Sequence, residues 1–357
     1  MVAVLAFGSN SSGQLAIGTM EDAHRPVACM FAEDAGVIAG TWHVCGGGNH
    51  AFMWSQDGTR LLASGSARDG ELGMGSASST PVTAWTPTEL PAASVRQIAC
   101  GWNHTLLLDS HGSVWAAGSN SFGQLGVQPM HAGAWTHVPP GGGGEGSQPL
   151  EFAAVACGMR HSLALDRDGA VFGWGANRVG QLGIPPSREC PNVPAMARVS
   201  AGLPPIAMIA CGRSHSVLVA RDLTTVFVAG QDTYAQCGPS ECTPVTGTWR
   251  TFQLPRPARK LCAGWEFCAV LLAPAEDGSA DGRIVAWGRS DHGQLAHPTP
   301  GRRYCREPAE VPLADVRDLA CGSNHCVALT RSGAVYAWGW NEHGNAGDPS
   351  LSSTCSP

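Results

Sequence analysis

The stretch Ala99–Val127, ACGWNHTLLLDSHGSVWAAGSNSFGQLGV, decides the fold. It runs from a small Ala-Cys-Gly lead-in through an apolar run, a tight polar turn at Asp109–Gly112, a second apolar run and a glycine-rich exit. Two short Val/Leu/Trp-rich runs around a polar, glycine-bearing turn signal a β-hairpin. The pattern returns at Ala156–Ile184 (ACGMRHSLALDRDGAVFGWGANRVGQLGI) and at Ala320–Asp348 (ACGSNHCVALTRSGAVYAWGWNEHGNAGD), and looser copies begin at Cys45, Ala210 and Cys262.

One marker gives the period. The histidine of a Gly-x-x-His step falls at His50, His104, His161 and His215, at spacings of 54, 57 and 54, and His325 follows after 110 with Phe267 near the midpoint. A unit of roughly 50 residues holding several short strands suits one propeller blade. It is too long for a leucine-rich or ankyrin unit. A lone four-stranded unit cannot bury both faces, so neighbouring blades are expected to pack around an axis.

The exit recurs at Gly8–Gly18, Gly65–Gly73, Gly118–Gly126, Gly175–Gly183, Gly230–Gly238, Gly288–Ala296 and Gly339–Gly347, seven exits against six complete hairpins. The first exit follows a strand at Val2–Phe7 that no Gly-x-x-His strand precedes. The predicted fold is therefore all-β, a seven-bladed propeller of four-stranded antiparallel blades whose last blade lacks its closing strand. Truncation, a misread last exon and an open ring all remain as reasons for that gap. The expected layout is one domain over residues 1–348 and a short disordered tail over 349–357.

Composition narrows the function classes. Gly 46 and Pro 25 supply turns, and no stretch shows sustained helical periodicity. The net charge of −6, with Lys260 as the sole lysine and no cationic run, argues against phosphate-backbone binding as the main activity. No apolar run approaches the ~18 residues of a membrane span and no signal peptide is evident. The expected location is the cytoplasm, with the nucleus as a second compartment, and no membrane or direct nucleic-acid partner.

The polar repeats read as framework. Cys100, Cys157, Cys211 and Cys321 recur at one strand lead-in, where a small, weakly polar residue fits a tight inner strand. Cys237 and Cys242 form a loose pair with no second pair or histidine pair to complete a zinc set. The repeated histidines stand one per blade, too dispersed for one metal ion, and each is expected to satisfy backbone groups at its own strand start. The glycine exits lack a Gly-Lys-Ser/Thr continuation, so they read as turns. No catalytic residues, metal ligands or cofactor site stand out, and no enzyme is expected.

The irregular positions carry more information. The slot after the lead-in glycine holds Gly48, Trp102, Met159, Arg213, Trp265 and Ser323. Such variety points to side chains lining an open face, where large aromatics and arginine serve as anchors for protein partners. Trp340 departs from Ser119 and Ala176 at its exit slot and is followed by Glu342 and His343. The candidate partner-binding residues are thus Trp102, Met159, Arg213, Trp265, Glu266, Trp340, Glu342 and His343. For the tryptophans, a partly buried position closing a blade is the competing reading.

The ACGxxHS…DGxVYxWGxNxxGQLG pattern resembles the regulator-of-chromosome-condensation repeat over residues 2–348. That family's fold is a seven-bladed propeller. The start AVLAFGSNSSGQLAIG and the last-blade phrase YAWGWNEHGNAG are most similar to the fungal alpha-tubulin suppressor branch. The resemblance implies a non-enzymatic adaptor that holds a small zinc- or iron-binding electron-carrier protein. It also implies support, with Elongator-associated factors, of tRNA wobble-uridine modification and diphthamide formation. The alternative it implies is a guanine-nucleotide exchange factor for a Ran-like small GTPase. A founder-like exchange factor is expected to carry a cationic chromatin-binding tail and a firm β-wedge. The comparable insertion here, Pro139–Pro149, is glycine-rich and mobile in character, so the adaptor is the preferred expectation. The plant ultraviolet-photoreceptor branch clusters Gly-Trp-Arg-His repeats, whereas only GWNH at Trp102 and GWEF at Trp265 occur here.

Overall fold

The computed structural model describes residues 3–128, 131–141, 150–239, 245–274, 282–297, 303–348, 350 and 353–354. The segments at 142–149, 240–244 and 275–281 lie outside the described residues, and with them most of the Pro139–Pro149 insertion and Cys242. Most of the 349–357 tail is outside as well. Among the described residues the regular structure is strand throughout, apart from one 3-10 turn at Glu33–Ala35. No helix among them is long and apolar enough to cross a membrane.

The chain forms two compact units. The first holds three four-stranded antiparallel sheets and one two-stranded sheet. Its first blade is Trp42–Gly46, His50–Ser55, Leu61–Ala67 and Ser78–Pro87. Its second is Val95–Cys100, His104–Asp109, Val114–Ser119 and His131–His137, and its third Phe152–Cys157, His161–Asp166, Val171–Ala176 and Asn192–Arg198. The second unit holds the remaining three. The fourth blade is Ile206–Cys211, His215–Ala220, Thr225–Gln231 and Val245–Gln253. The fifth is Ala258–Ala263, Phe267–Leu272, Ile284–Arg289 and Tyr304–Glu310. The sixth is Val316–Cys321, His325–Thr330, Val335–Trp340 and Ser353–Thr354.

The expectation of seven blades with a last blade short of its closing strand is therefore corrected to six four-stranded blades among the described residues. The exits overcount because each marks only the turn that leaves a third strand. The first exit leaves Leu5–Gly8, which pairs with the returning Ala23–Ala28 and makes a two-stranded sheet, not a blade. In the sixth blade the fourth position is taken by Ser353–Thr354, paired to Trp340 and Gly339.

Each hairpin has the predicted form. His104 pairs with Gly118 and Leu108 with Val114, and the Asp109–Gly112 turn closes between them. Every residue of His104–Asp109, His161–Asp166, His215–Ala220 and Phe267–Leu272 is buried. A strand covered on both faces reads as a continuous apolar run, which is why Leu106–Leu107–Leu108 and Val217–Leu218–Val219 show no alternation. The sixth blade alternates instead, with Cys326 and Ala328 in the core beside Phe267, Ile284 and Ala286, while Val335 is 63% exposed.

The repeated polar residues join one blade to the next. In the second, fourth and fifth blades the sixth residue after the exit glycine presents its backbone carbonyl to the following blade. Gln124 accepts from Ser162 Oγ at 2.8 Å and from Trp174 Nε1 at 2.8 Å. Gln236 accepts from Trp287 Nε1 at 3.0 Å, and Gln294 from Trp338 Nε1 at 3.1 Å. The histidines complete the joint. His104 Nε2 meets Ser162 Oγ at 3.1 Å, and His50 Nε2 meets Thr105 Oγ1 at 2.8 Å. His215 Nε2 meets Cys268 Sγ at 3.3 Å. The expectation that each imidazole serves its own strand start is corrected for His50, His104 and His215: each of these bridges to the next blade. Because the hydroxyl hydrogens of Ser162 and Thr105 go to the carbonyls of Gln124 and Glu71, Nε2–H must be the donor to each oxygen. Nδ1 of His50, His104 and His215 makes no hydrogen bond.

The Gly-x-x-His spacing has a steric cause. A Cβ on Gly101 would sit 2.2 Å from His104 Cε1, and one on Gly264 would sit 1.9 Å from Phe267 Cε1. The ring folds back over the residue three before it, so only glycine fits there. Two lead-in cysteine thiols donate to the adjoining blade, Cys157 Sγ to Ala99 O at 3.3 Å and Cys262 Sγ to Leu319 O at 3.4 Å, whereas the Cys211 and Cys321 thiols meet Ser216 and Cys326 of their own blades. Burial pushes the Cys211 thiol up to about 12, which leaves it unreactive at neutral pH.

Burial pushes the pKa of His50 and His215 down to about 4, and that of His104 to about 3. Protonation would place a donor on Nδ1 with nothing to receive it. The unfolded chain takes up these protons near pH 6.5 and the folded chain does not until about pH 4. Stability is therefore present above pH 6.5 and lost as pH falls toward 4, by on the order of 3 kcal/mol for each histidine. The double variant His104→Phe/Ser162→Cys reproduces the Phe267–Cys326 pairing of the fifth and sixth blades. Calorimetric Tm values from pH 7.5 to 4.5 should fall less steeply in that variant than in the wild type.

Candidate functional site

The loops between first and second strands carry the irregular slots, and adjacent loops are tied by backbone. Arg213 N donates to Trp265 O at 3.0 Å, and Trp265 N to Ser323 O at 2.8 Å. In the second unit these ties set three of the candidates side by side. The Arg213 guanidinium lies 5.3 Å from the Trp265 ring centroid, and its Nη1 is 3.3 Å from Glu266 Oε1. Glu266 is only 4% exposed. Its other oxygen accepts from Arg289 Nη1 at 2.7 Å.

Arg289 extends the group along the fifth-blade exit. Its Nε and Nη2 bind both oxygens of Asp291, at 2.6 and 3.1 Å, in the two-pronged geometry that suits a guanidinium to a carboxylate. Arg303 binds Asp291 Oδ2 at 2.8 Å from outside. Tyr234 stacks under both arginines, with Arg289 4.8 Å and Arg303 5.9 Å from its ring centroid. Burial works against the Arg289 charge, yet its bonds to Asp291 and Glu266 outweigh that and hold its pKa above the ordinary value. Burial likewise opposes ionisation of Asp291, and the two arginines overcome it and hold the carboxyl below its ordinary value.

The remaining second-unit candidates flank this chain. Trp340 is half-buried between His343, at 5.1 Å edge-on, and His292, at 6.1 Å. His292 Nε2 is 3.4 Å from Arg289 Nη2, so the aromatic trio adjoins the charged group. Glu342 is exposed. Trp102 and Met159 belong to the first unit and are half-buried there. Trp102 lies over the preceding turn, since a Cβ on Gly48 would fall 2.6 Å from its Cε3.

Sequence reasoning missed Arg289, Asp291, Arg303, Tyr234 and His292. Arg289 carried the same signal that singled out Trp340, a large side chain at the exit slot that holds Ser119 and Ala176 elsewhere. No group of His, Cys, Asp or Glu among the described residues could hold a metal ion. The arrangement offers charge, aromatic surface and hydrogen bonds for a macromolecular contact. Glu266→Ala would leave two arginines without their shared acceptor and should lower the unfolding free energy by about 2 kcal/mol in urea titrations. Glu342→Ala, at an exposed position, should change it by less than about 0.5 kcal/mol.

A family model described as RCC1-like domain matches residues 3–357. A mouse protein named secretion-regulating guanine nucleotide exchange factor is 32% identical over 99% of this chain and 77% of its own length. Its bovine counterpart is 29% identical over 97% and 76%. These matches support the wider family and not the fungal tubulin-suppressor branch specifically. Among solved structures, human WBSCR16 superimposes with a TM-score of 0.80, covering 99% of this chain and 92% of that one at 22% identity. Yeast Prp20, described together with its binding to Gsp1p and histones, superimposes with a TM-score of 0.84 over 99% and 84%, also at 22% identity.

Proposed function

For this chain, which belongs to the RCC1-like domain family, we propose the activity of a guanine-nucleotide exchange factor acting on a Ran-like small GTPase. One observation carries the proposal: a mouse exchange factor of this family matches nearly the whole chain at 32% identity. The likeness to Prp20 is one of fold and agrees with it.

The physics of exchange asks little chemistry of the factor. A surface that binds the nucleotide-free GTPase more tightly than the loaded one must weaken nucleotide binding by the same factor. A contact rich in arginine and aromatic side chains, set on rigid strands, is the kind that supplies such binding energy. Arg213, Trp265, Glu266, Arg289 and Trp340 provide one, and Trp102 and Met159 offer side chains on the first unit. The grounds for preferring an adaptor weigh less. A cationic tail serves chromatin tethering and not nucleotide release, and most of the Pro139–Pro149 insertion lies outside the described residues. No side-chain set for a zinc- or iron-binding partner emerges from the site.

Release of a fluorescent GDP analogue from a Ran-type GTPase tests the proposal. The purified chain at micromolar concentration should speed release by at least about tenfold, a lowering of the release barrier by roughly 1.4 kcal/mol. No acceleration of Ran or of a panel of small GTPases would end it, and capture of a small metal-binding protein instead would restore the adaptor.

A further inference from the structure

Within the second unit, the positive charges are not equally matched. Glu266 and Asp291 face Arg213, Arg289 and Arg303, two carboxylates against three guanidiniums. Arg289 takes the short bonds, 2.7 Å to Glu266 and 2.6 Å to Asp291, and Arg303 is 2.8 Å from Asp291. Arg213 is left with one 3.3 Å contact from a single Nη1 to an oxygen of Glu266. Its side chain is 43% exposed, that of Arg289 is 17% exposed, and Arg303, though 68% exposed, holds Asp291 Oδ2 through both Nε and Nη2. The surplus charge of the group therefore rests on Arg213, on a chain whose overall charge is −6.

The guanidinium is also held in place. Trp265 lies against its face at 5.3 Å, Glu266 fixes one corner, and the Arg213 backbone N–H is bonded to Trp265 O at 3.0 Å. A stacked arginine with one anchored nitrogen keeps its other N–H groups aimed as a fork, so little rotamer entropy is lost when a planar acceptor arrives. Glu266, nearly buried and shared by two arginines, is the positioning residue that sets this orientation.

We infer that Arg213, stacked on Trp265 and positioned by Glu266, reads a carboxylate side chain on the bound GTPase. This rests on the exchange-factor reading and names the chemistry of its partner at one point. A carboxylate fits because it is planar and accepts two parallel N–H bonds from a guanidinium. The complementary charge also meets the one under-neutralised cation of the group. The bond is made to the protein partner and not to the phosphates of its nucleotide, so it should persist with the nucleotide-free GTPase.

Steady-state exchange and direct binding, measured with the full chain and a Ran-type GTPase, test the inference. Arg213→Glu should raise the KM for the GTPase by about thirtyfold or more, with kcat changed less than twofold. Arg213→Lys, which keeps the charge and loses the fork, should raise it by about fivefold or more. Arg213→Lys should keep the wild-type Tm within about 2 °C, because the salt bridge is long and half-exposed, and Arg213→Glu, whose new carboxylate faces Glu266, is compared at a temperature where its circular-dichroism spectrum matches the wild type. One Asp/Glu→Arg variant from a scan of the GTPase surface should restore at least a tenth of wild-type affinity to Arg213→Glu. An unchanged KM in Arg213→Glu overturns the inference. So does a loss seen only with nucleotide-loaded GTPase, which would assign the contact to phosphate, or failure of every GTPase variant to rescue. Absence of exchange by the wild-type chain overturns the reading beneath it, and that outcome is distinct from the others.

Discussion

A backbone carbonyl in the glycine exits of the second, fourth and fifth blades is the acceptor on which the packing of each against the following blade depends. Gln124, Gln236 and Gln294 each receive an indole N–H from the following blade, and the side chains that do so, Trp174, Trp287 and Trp338, are essentially fully buried. A buried carbonyl left without a donor costs about 1–3 kcal/mol, so each joint enforces the distance and rotation between two sheets. The histidine above it tightens the same joint through a hydroxyl or thiol. Where the ring is Phe267, the facing residue is Cys326 within an apolar cluster, and packing takes over from hydrogen bonding. Polar and apolar solutions thus occupy one architectural position without altering the strands around it.

That rigidity is what makes the variable turns useful. The loops between first and second strands are pinned by backbone bonds from one blade to the next, as Arg213 is to Trp265 and Trp265 to Ser323. Side chains placed there gain fixed positions without contributing to the joints below. Charge can then be gathered at a depth where it would be costly alone. Glu266 tolerates 4% exposure because two guanidiniums share it, and Arg289 tolerates its own burial because Asp291 and Glu266 enclose it. A surface that is already ordered loses less entropy on meeting a partner, which is what a factor that must compete with a tightly bound nucleotide requires.

The exchange reading and the tubulin-suppressor reading start from the same repeats, and repeats describe a scaffold. Blade number, strand order and joints say nothing of which partner docks on the turns. The discriminating information lies in residues that break the repeat, and in relatives that match nearly the whole chain. The structure brings Arg213, Trp265 and Glu266 together with Arg289, and it leaves Glu342 as an exposed side chain apart from that group.

How much could be read from the chain alone follows from sequence separation. The hairpins were legible because their contacts span a few residues and their apolar runs, turns and glycines are local features. The need for glycine before each histidine was visible as a pattern, though not its cause. The histidine partners were not legible, because Thr105, Ser162 and Cys268 lie 53 to 58 residues away in another blade. The blade count failed because an exit turn reports one strand, whereas a blade requires four paired together. The sequence by itself determined the strand repeat, the turn chemistry and the positions free to vary. Only the tertiary structure decided which sheets close, which blade each imidazole serves and which charges meet, since those outcomes depend on where strands distant in the chain are brought together and what they shield from water.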